Sequence, residues 1–230
     1  MVKNWFIADT HFDHGNIIKY CRRPFVNSRE LEMMAMADAG KLDPRQVRIS
    51  RESVDWMNTV MIDNINARAG RDDILWHGGD AFWGNDFRRA RELRDRINCQ
   101  NINLIWGNHD EPTFRPLFSE AYQQILITVE KQQIFLNHLP CRTWYDPHKT
   151  YMLYGHVHQL YAEEDRLGDK MTLDIGVDGH DFKPWSMEEL HKYMAPKRVL
   201  ALEHRNKERQ ARKPSQNKSA EPEENSPCST

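Results

Sequence analysis

Five short segments of the chain concentrate residues able to hold a metal or move a proton. They are "DTH" (Asp9, Thr10, His11), "GGD" (78–80), "GNHD" (107–110), "NHLP" (His138 with Pro140) and "GHVH" (His156, His158). Each has an ordinary reading when taken alone. Gly, Asn and Asp in "LIWGNHDEP" are turn residues at the end of a strand, and Asp80 after two glycines reads as a turn aspartate. The metal-binding reading is equally physical. In D-x-H, strand alternation predicts that Asp9 and His11 project to the same side, as a metal's ligands must. The i, i+2 spacing of His156 and His158 predicts the same. The glycines before Asp80 permit the close backbone approach that a carboxylate reaching a buried ion requires.

The segments share a position as well as a chemistry. Each lies at or just after the end of an apolar run that reads as a strand: 2–8, 73–77, 101–106, 123–128, 132–137, 150–154 and 170–177. In open α/β sheets, sites form outside the carboxyl ends of strands, so clusters spread over the chain are predicted to converge. Short apolar runs alternate with helical patterns, which predicts an α/β layered fold. The clearest helix covers 52–68, where Val54, Met57, Met61 and Ile65 form one apolar stripe. A second is expected over 86–96, with Arg88, Arg89, Arg91, Arg94 and Arg96 interleaved with acids as a salt-bridged face. A third starts at Ser186, whose spacing to Glu189 makes a capping box, and is expected to end before Pro196. Residues 28–50 read as a helix and loop inserted after the first unit.

Composition narrows the function classes. The 230 residues carry 32 basic and 34 acidic side chains, a net charge of −2, so no global field draws the chain to nucleic acid or membrane. The length fits a single domain over 1–204. Residues 205–230 carry almost no apolar side chains and read as a charged, disordered tail. Cys21, Cys99, Cys141 and Cys228 form no C-x-x-C pair, which fits free thiols in a reducing compartment. The apolar run near the N-terminus is interrupted by Asp9 and is too short for a signal or a membrane span, so a cytoplasmic protein is expected.

The order D-x-H, G-D, G-N-H-D, a lone His and G-H-x-H resembles the calcineurin-like metallophosphoesterase superfamily over roughly residues 1–194. The likeness is greatest to compact bacterial and phage members whose first motif reads D-T-H-F-x-H. The resemblance implies a two-sheet β sandwich flanked by α-helices and a centre of two divalent ions. Asp9, His11 and His158 would hold one ion, Asn108, His138 and His156 the other, and Asp80 would bridge them. That donor set suits Mn²⁺ first, with Fe²⁺ or Zn²⁺ as alternatives. Ions roughly 3.5–4 Å apart can clamp phosphoryl oxygens while a metal-bound hydroxide attacks in line.

His109 would then face substrate as the general acid, with Asp110 orienting its ring or capping the following turn. Asn108 and His14 are candidate phosphate contacts. Trp83, Trp106 and Trp144 can wall the pocket or pack in the core. His77 is expected to pack within its strand, and Asp178 to help order the mouth of the site. The function implied is phosphate-ester hydrolysis, with a phosphodiester or nucleotide favoured over a long duplex. Phosphomonoesterase and nuclease activity stay open as alternatives, and an oligonucleotide is a candidate partner. A non-catalytic scaffold on the same fold would be expected to have lost ligands or the acid, and this chain keeps them all.

Overall fold

The computed structural model describes residues 2–211. The first apolar run becomes strand β1 (Asn4–Ile7), in which Trp5, Phe6 and Ile7 are all buried. Burial on both faces is what a central parallel strand requires. Strands β2 (Ile74–His77), β3 (Asn101–Ile105) and β4 (Glu120–Tyr122) follow in parallel. With β9 (Trp185–Ser186) antiparallel to β1, the first sheet runs β4-β3-β2-β1-β9. The second sheet runs β5-β6-β7-β8, from β5 (Gln124–Val129), β6 (Gln132–Asn137), β7 (Tyr151–Tyr154) and β8 (Thr172–Asp174). Its β5–β6 hairpin turns on Glu130 and Lys131, both left-handed at φ 49 and 70, as a tight two-residue hairpin prefers.

Alternation along the strands separates two cores. One face of the first sheet presents Ile7, Leu75, Ile102 and Leu104 to helices α1 (Gly15–Tyr20), α3 (Arg51–Arg68) and α4 (Phe87–Asp95). The other presents Phe6, Ala8, Trp76 and Ile105 to Leu136, Tyr151, Leu153 and Leu173 of the second sheet. Helix α6 (Met187–Ala211) adds Met187, Leu190, Met194 and Ala201 to this second core. The architecture is therefore α/β, two mixed sheets flanked by helices, as the sequence predicts.

Residues 28–50 fold as helix α2 (Ser28–Asp38) and a loop with a 3₁₀ turn over Pro44–Gln46. Glu30 knots this segment to α3. Its buried carboxylate accepts the Asn27 N–H at 2.9 Å, the Ser50 N–H at 2.6 Å and the Ser53 hydroxyl at 2.5 Å.

Two expectations need correction. The last helix does not end before Pro196 but runs on to Ala211. Pro196 is exposed, whereas Met194, Lys197 and Ala201 are buried. That packing outweighs the cost of about 3 kcal/mol for an interior proline. Helix α6 also carries the chain into the segment expected to be tail, and 212–230, Cys228 included, lie outside the described residues. The structure adds β4, β9, α1 and α5 (Ala162–Leu167), which are too short or too polar to show a periodic pattern.

Lys197 is fully buried, with Nζ donating to the carbonyls of Asp165 and Thr172. Burial lowers its pKa from 10.5 to about 8. Between those values the unfolded chain binds more protons at this site, so its contribution to stability rises with pH. Urea melts should therefore show the parent gaining on Lys197→Met as pH increases from 8 toward 10.5. An unchanged difference across that window would show that Lys197 titrates normally.

Candidate metal centre

The parallel strands of both sheets deliver their loops to one pole. The loop after β1 continues beside the loop after β2 by backbone bonds: Asp9 N–H to Gly79 O at 3.0 Å, His11 N–H to Asp80 O at 2.9 Å and Phe12 N–H to Ala81 O at 2.9 Å. The two sheets join where Ala8 N–H donates to Ile175 O and Val177 N–H donates to Ala8 O, both at 3.1 Å. The loops after β6 and β7 meet through Gly155 N–H and His138 O at 3.0 Å.

This framework gathers two groups of donors. Asp9, His11 and His158 each place one ligand atom within 4.8 Å of the others, and so do Asp80, His138 and His156. The Asn108 carboxamide oxygen joins the second group, 3.0 Å from His138 Nε2 and 2.8 Å from His156 Nδ1. Asp80 stands between the groups, with Oδ2 3.6 Å from His11 Nε2 and 3.5 Å from His138 Nε2. The two histidines of "GHVH" therefore part company and serve different groups. Strand alternation is not what aims Asp9 and His11 either, because β1 ends at Ile7. Asp9, His11, Asp80, His156 and His158 are instead all left-handed, at φ 55, 46, 55, 71 and 47. Such backbone costs on the order of 1–3 kcal/mol per residue and persists where the surroundings over-determine it.

The donor chemistry fits divalent ions. Both ring nitrogens of His11 are buried without a hydrogen-bond partner, a costly state that a cation's coordination would relieve. Burial lowers the His11 pKa to about 2, which keeps the ring in its ligating neutral form. Burial would also raise Asp80, but hydrogen bonding to His138 and that ring's charge hold it well below the usual carboxylate range. Asp9 has less compensation. Burial and the neighbouring charge of Asp174 push it up to about 7, so a cation is what would keep it ionised at neutral pH.

Asp110 corrects another expectation. It contacts backbone rather than the His109 ring: its carboxylate accepts N–H groups from Gly107, Asp80 and Ala81, each at 2.8 Å. The following 3₁₀ turn over Pro112–Leu117 starts from Glu111, with no side-chain cap. Asp110 thus staples the loop after β3 to the loop after β2. His109 donates its backbone N–H to Asp80 Oδ1 at 2.8 Å and leaves its ring exposed. That ring lies 4.9 Å from Trp83 and 5.6 Å from His11, centroid to centroid. His14 is buried and stacks on Trp83 at 3.6 Å, with Nδ1 unpartnered. Trp83 therefore walls the mouth, whereas Trp106 packs against the helical core and Trp144 donates to Thr150 O. His77 bonds Thr10 Oγ1 at 3.0 Å within the core. Arg88, Arg89 and Arg91 of α4 pair with acids, Arg89 with Asp13 and Asp55 among them, whereas Arg94 donates to the carbonyls of Leu117, Ile97 and Gln100 and Arg96 to the Thr59 hydroxyl.

Arg23 is the site residue that sequence reading missed. Its side chain is 0% exposed and grips Asp178 through Nε at 2.8 Å and through a second nitrogen at 3.1 Å. It also donates to the carbonyls of Asp9 at 2.8 Å and Thr10 at 3.0 Å. Asp178 in turn holds His158 Nδ1 at 2.8 Å. Burial would lower His158, but this bond outweighs it and raises the ring to about 10. The only sequence signal was a basic pair, Arg22-Arg23, that reads as surface.

A family model described as calcineurin-like phosphoesterase matches residues 3–221. An uncharacterized protein of Methanocaldococcus jannaschii is 28% identical over 203 residues, covering 87% of this chain and 96% of its own length. A crystal structure of a protein of unknown function from Aquifex aeolicus superposes with a TM-score of 0.55 at 21% identity. It covers 84% of this chain and 99% of that one, and shows the same fold.

Two substitutions test this construction. Arg23→Ala leaves Asp178, 10% exposed, with the His158 ring as its remaining partner and should cost about 3–5 kcal/mol in urea unfolding. A loss below 1 kcal/mol, on the scale of about 0–1 for an exposed pair, would mean the pair is dispensable. A Cβ at Gly107 would collide with Asp80 Oδ1 and its backbone nitrogen. Gly107→Ala should therefore lower metal affinity roughly 10- to 100-fold, the scale for disturbing a ligand's support, as read by calorimetry.

Proposed function

The chain belongs to the calcineurin-like phosphoesterase family, and on that premise we propose that it hydrolyses a phosphodiester or nucleotide ester at a centre of two divalent ions. Asp9, His11 and His158 would hold one ion and Asn108, His138 and His156 the other. Asp80 would be shared. The observation that carries the reading is the position of Asp80, about equally far from a histidine of each group. Two divalent ions opposite the carboxylates of Asp9 and Asp80 would give a positive centre matched to an anionic ester. When bound, the ions would supply phosphoryl charge neutralisation and activation of a water nucleophile. Mn²⁺ is the favoured occupant of a set of imidazole, carboxylate and carboxamide donors.

The protein's own groups do the rest. His109 is held through its backbone by Asp80 while its ring stays free at the mouth, so it is placed to protonate the departing alkoxide. Burial, and then the charge of His109, lower His14 to about 4, so it meets a phosphate as a neutral donor. Trp83 and His14 form the wall against which the leaving group lies. The free thiols of Cys21, Cys99 and Cys141 fit a reducing, cytoplasmic setting, and no described helix is long and apolar enough to cross a membrane.

Chelation should abolish hydrolysis of bis-p-nitrophenyl phosphate, and Mn²⁺ should restore it. Full turnover by metal-stripped protein would rule out the metal centre, and a strict preference for p-nitrophenyl phosphate would rule out the diester. His109→Ala should keep its metal content while kcat falls roughly 10²- to 10⁴-fold. The fall should be smallest for good leaving groups, which need no proton. Loss of metal would instead make His109 a ligand.

A further inference from the structure

A second constellation of metal-binding side chains lies away from the pole just described. His148 is on the loop entering β7, Asp169 on the loop entering β8, and His204 on α6. One ligand atom from each falls within 4.8 Å of the others. The catalytic loops leave the carboxyl ends of β7 and β8, whereas His148 and Asp169 precede their amino ends. Four residues of β7 at roughly 3.3 Å each put about 13 Å of strand between the two sets. We propose that His148, Asp169 and His204 form a separate structural divalent-metal site of zinc type, which clips α6 to the second sheet.

The arrangement is held ready by the fold. The two loops are tied by Met171 N–H to Pro147 O at 2.9 Å, and His148 Nδ1 lies 3.3 Å from the Asp169 carbonyl oxygen. On α6, Lys197, Ala201 and His204 recur at four- and three-residue steps and so share one face. Lys197 and Ala201 are buried there, and Lys197 is bonded to Thr172 O at 2.9 Å. His204 is thereby directed onto the Asp169 carboxylate, with which its Nδ1 is hydrogen-bonded. His148 Nδ1 lies 3.9 Å from the same Asp169 oxygen, and the two imidazole rings are 5.6 Å apart and nearly perpendicular.

Two imidazoles and one carboxylate suit Zn²⁺, with solvent completing a tetrahedron. Of the neighbouring cations, Lys149 pairs with Asp146, and Arg198 bonds Gln132 and Tyr151. Ligands from three segments far apart in sequence would bind Zn²⁺ only when brought together by folding, so the ion would stabilise the native state.

Full-length protein is stripped of metal, reloaded with Zn²⁺, freed of excess by gel filtration and analysed for zinc by mass spectrometry. His148→Ala and His204→Ala are treated alongside the parent. Each variant should hold one Zn²⁺ fewer per chain, lose most of the Zn²⁺-dependent rise in Tm and keep Mn²⁺-dependent ester hydrolysis. Equal zinc content in parent and variants would overturn the proposal and leave Asp169 with a hydrogen-bonded pair only. Loss of zinc together with hydrolysis would place the missing ion at the catalytic pole and would equally overturn it. Should His204→Ala loosen α6, His148→Ala on its loop carries the same comparison.

Discussion

Burying a carboxylate costs several kcal/mol unless hydrogen bonds or an opposite charge replace its water, and this fold buries or half-buries Asp9, Asp80, Asp110, Asp174 and Asp178 at one pole. The loops are shaped by how each is compensated. Asp110 takes three backbone N–H groups. Asp174 takes those of Gln159 and Gly176, Asp80 takes that of His109, and Asp9 takes that of His156. Asp178 is held by the Arg23 guanidinium and the His158 ring. Asp9 and Asp80 therefore do two things at once: each belongs to a donor group of the candidate centre and each fastens the loop of another strand.

Such fastening explains how left-handed backbone can be tolerated at so many candidate donors. A residue at positive φ turns its side chain in a direction that neither strand nor helix allows, which lets adjacent loops aim at one small volume. The strain is offset by the backbone bonds between the loops after β1 and β2 and by Asp110, which secures the third. Close approach completes the geometry. Gly79, at φ 105, would bring any Cβ against the His138 ring, and a Cβ at Gly107 would meet Asp80. The glycines of "GGD" and "GNHD" are thus where one loop lies directly upon another, beyond any role in turning the chain.

Much of this could be read from residue order. The long apolar strands and α3 carry strong periodicity, and their positions follow from it. The metal-binding residue types could be picked out because they recur after strands, where parallel topology makes them converge. Asp110 shows the limit. From spacing it belonged equally to the His109 ring or to the following turn, and only the packing of the second loop beside it supplied the N–H groups of Asp80 and Ala81 that join the local one of Gly107. Arg23 shows a deeper limit. A long cationic side chain carries no local sign of burial, and its partner Asp178 lies 155 residues away.

By itself the sequence determined which chemistry is available and which strand each donor follows, because residue type and hydrophobic periodicity are local properties. Tertiary structure alone decided that Asp110 fastens the loop after β3 to the loop after β2 and that Arg23 lies buried against Asp178. It also decided that α6 continues through Pro196 to bring His204 onto Asp169. Those outcomes depend on how separate strands, loops and helices compensate one another's buried charge and strain, and that balance exists only once they are packed together.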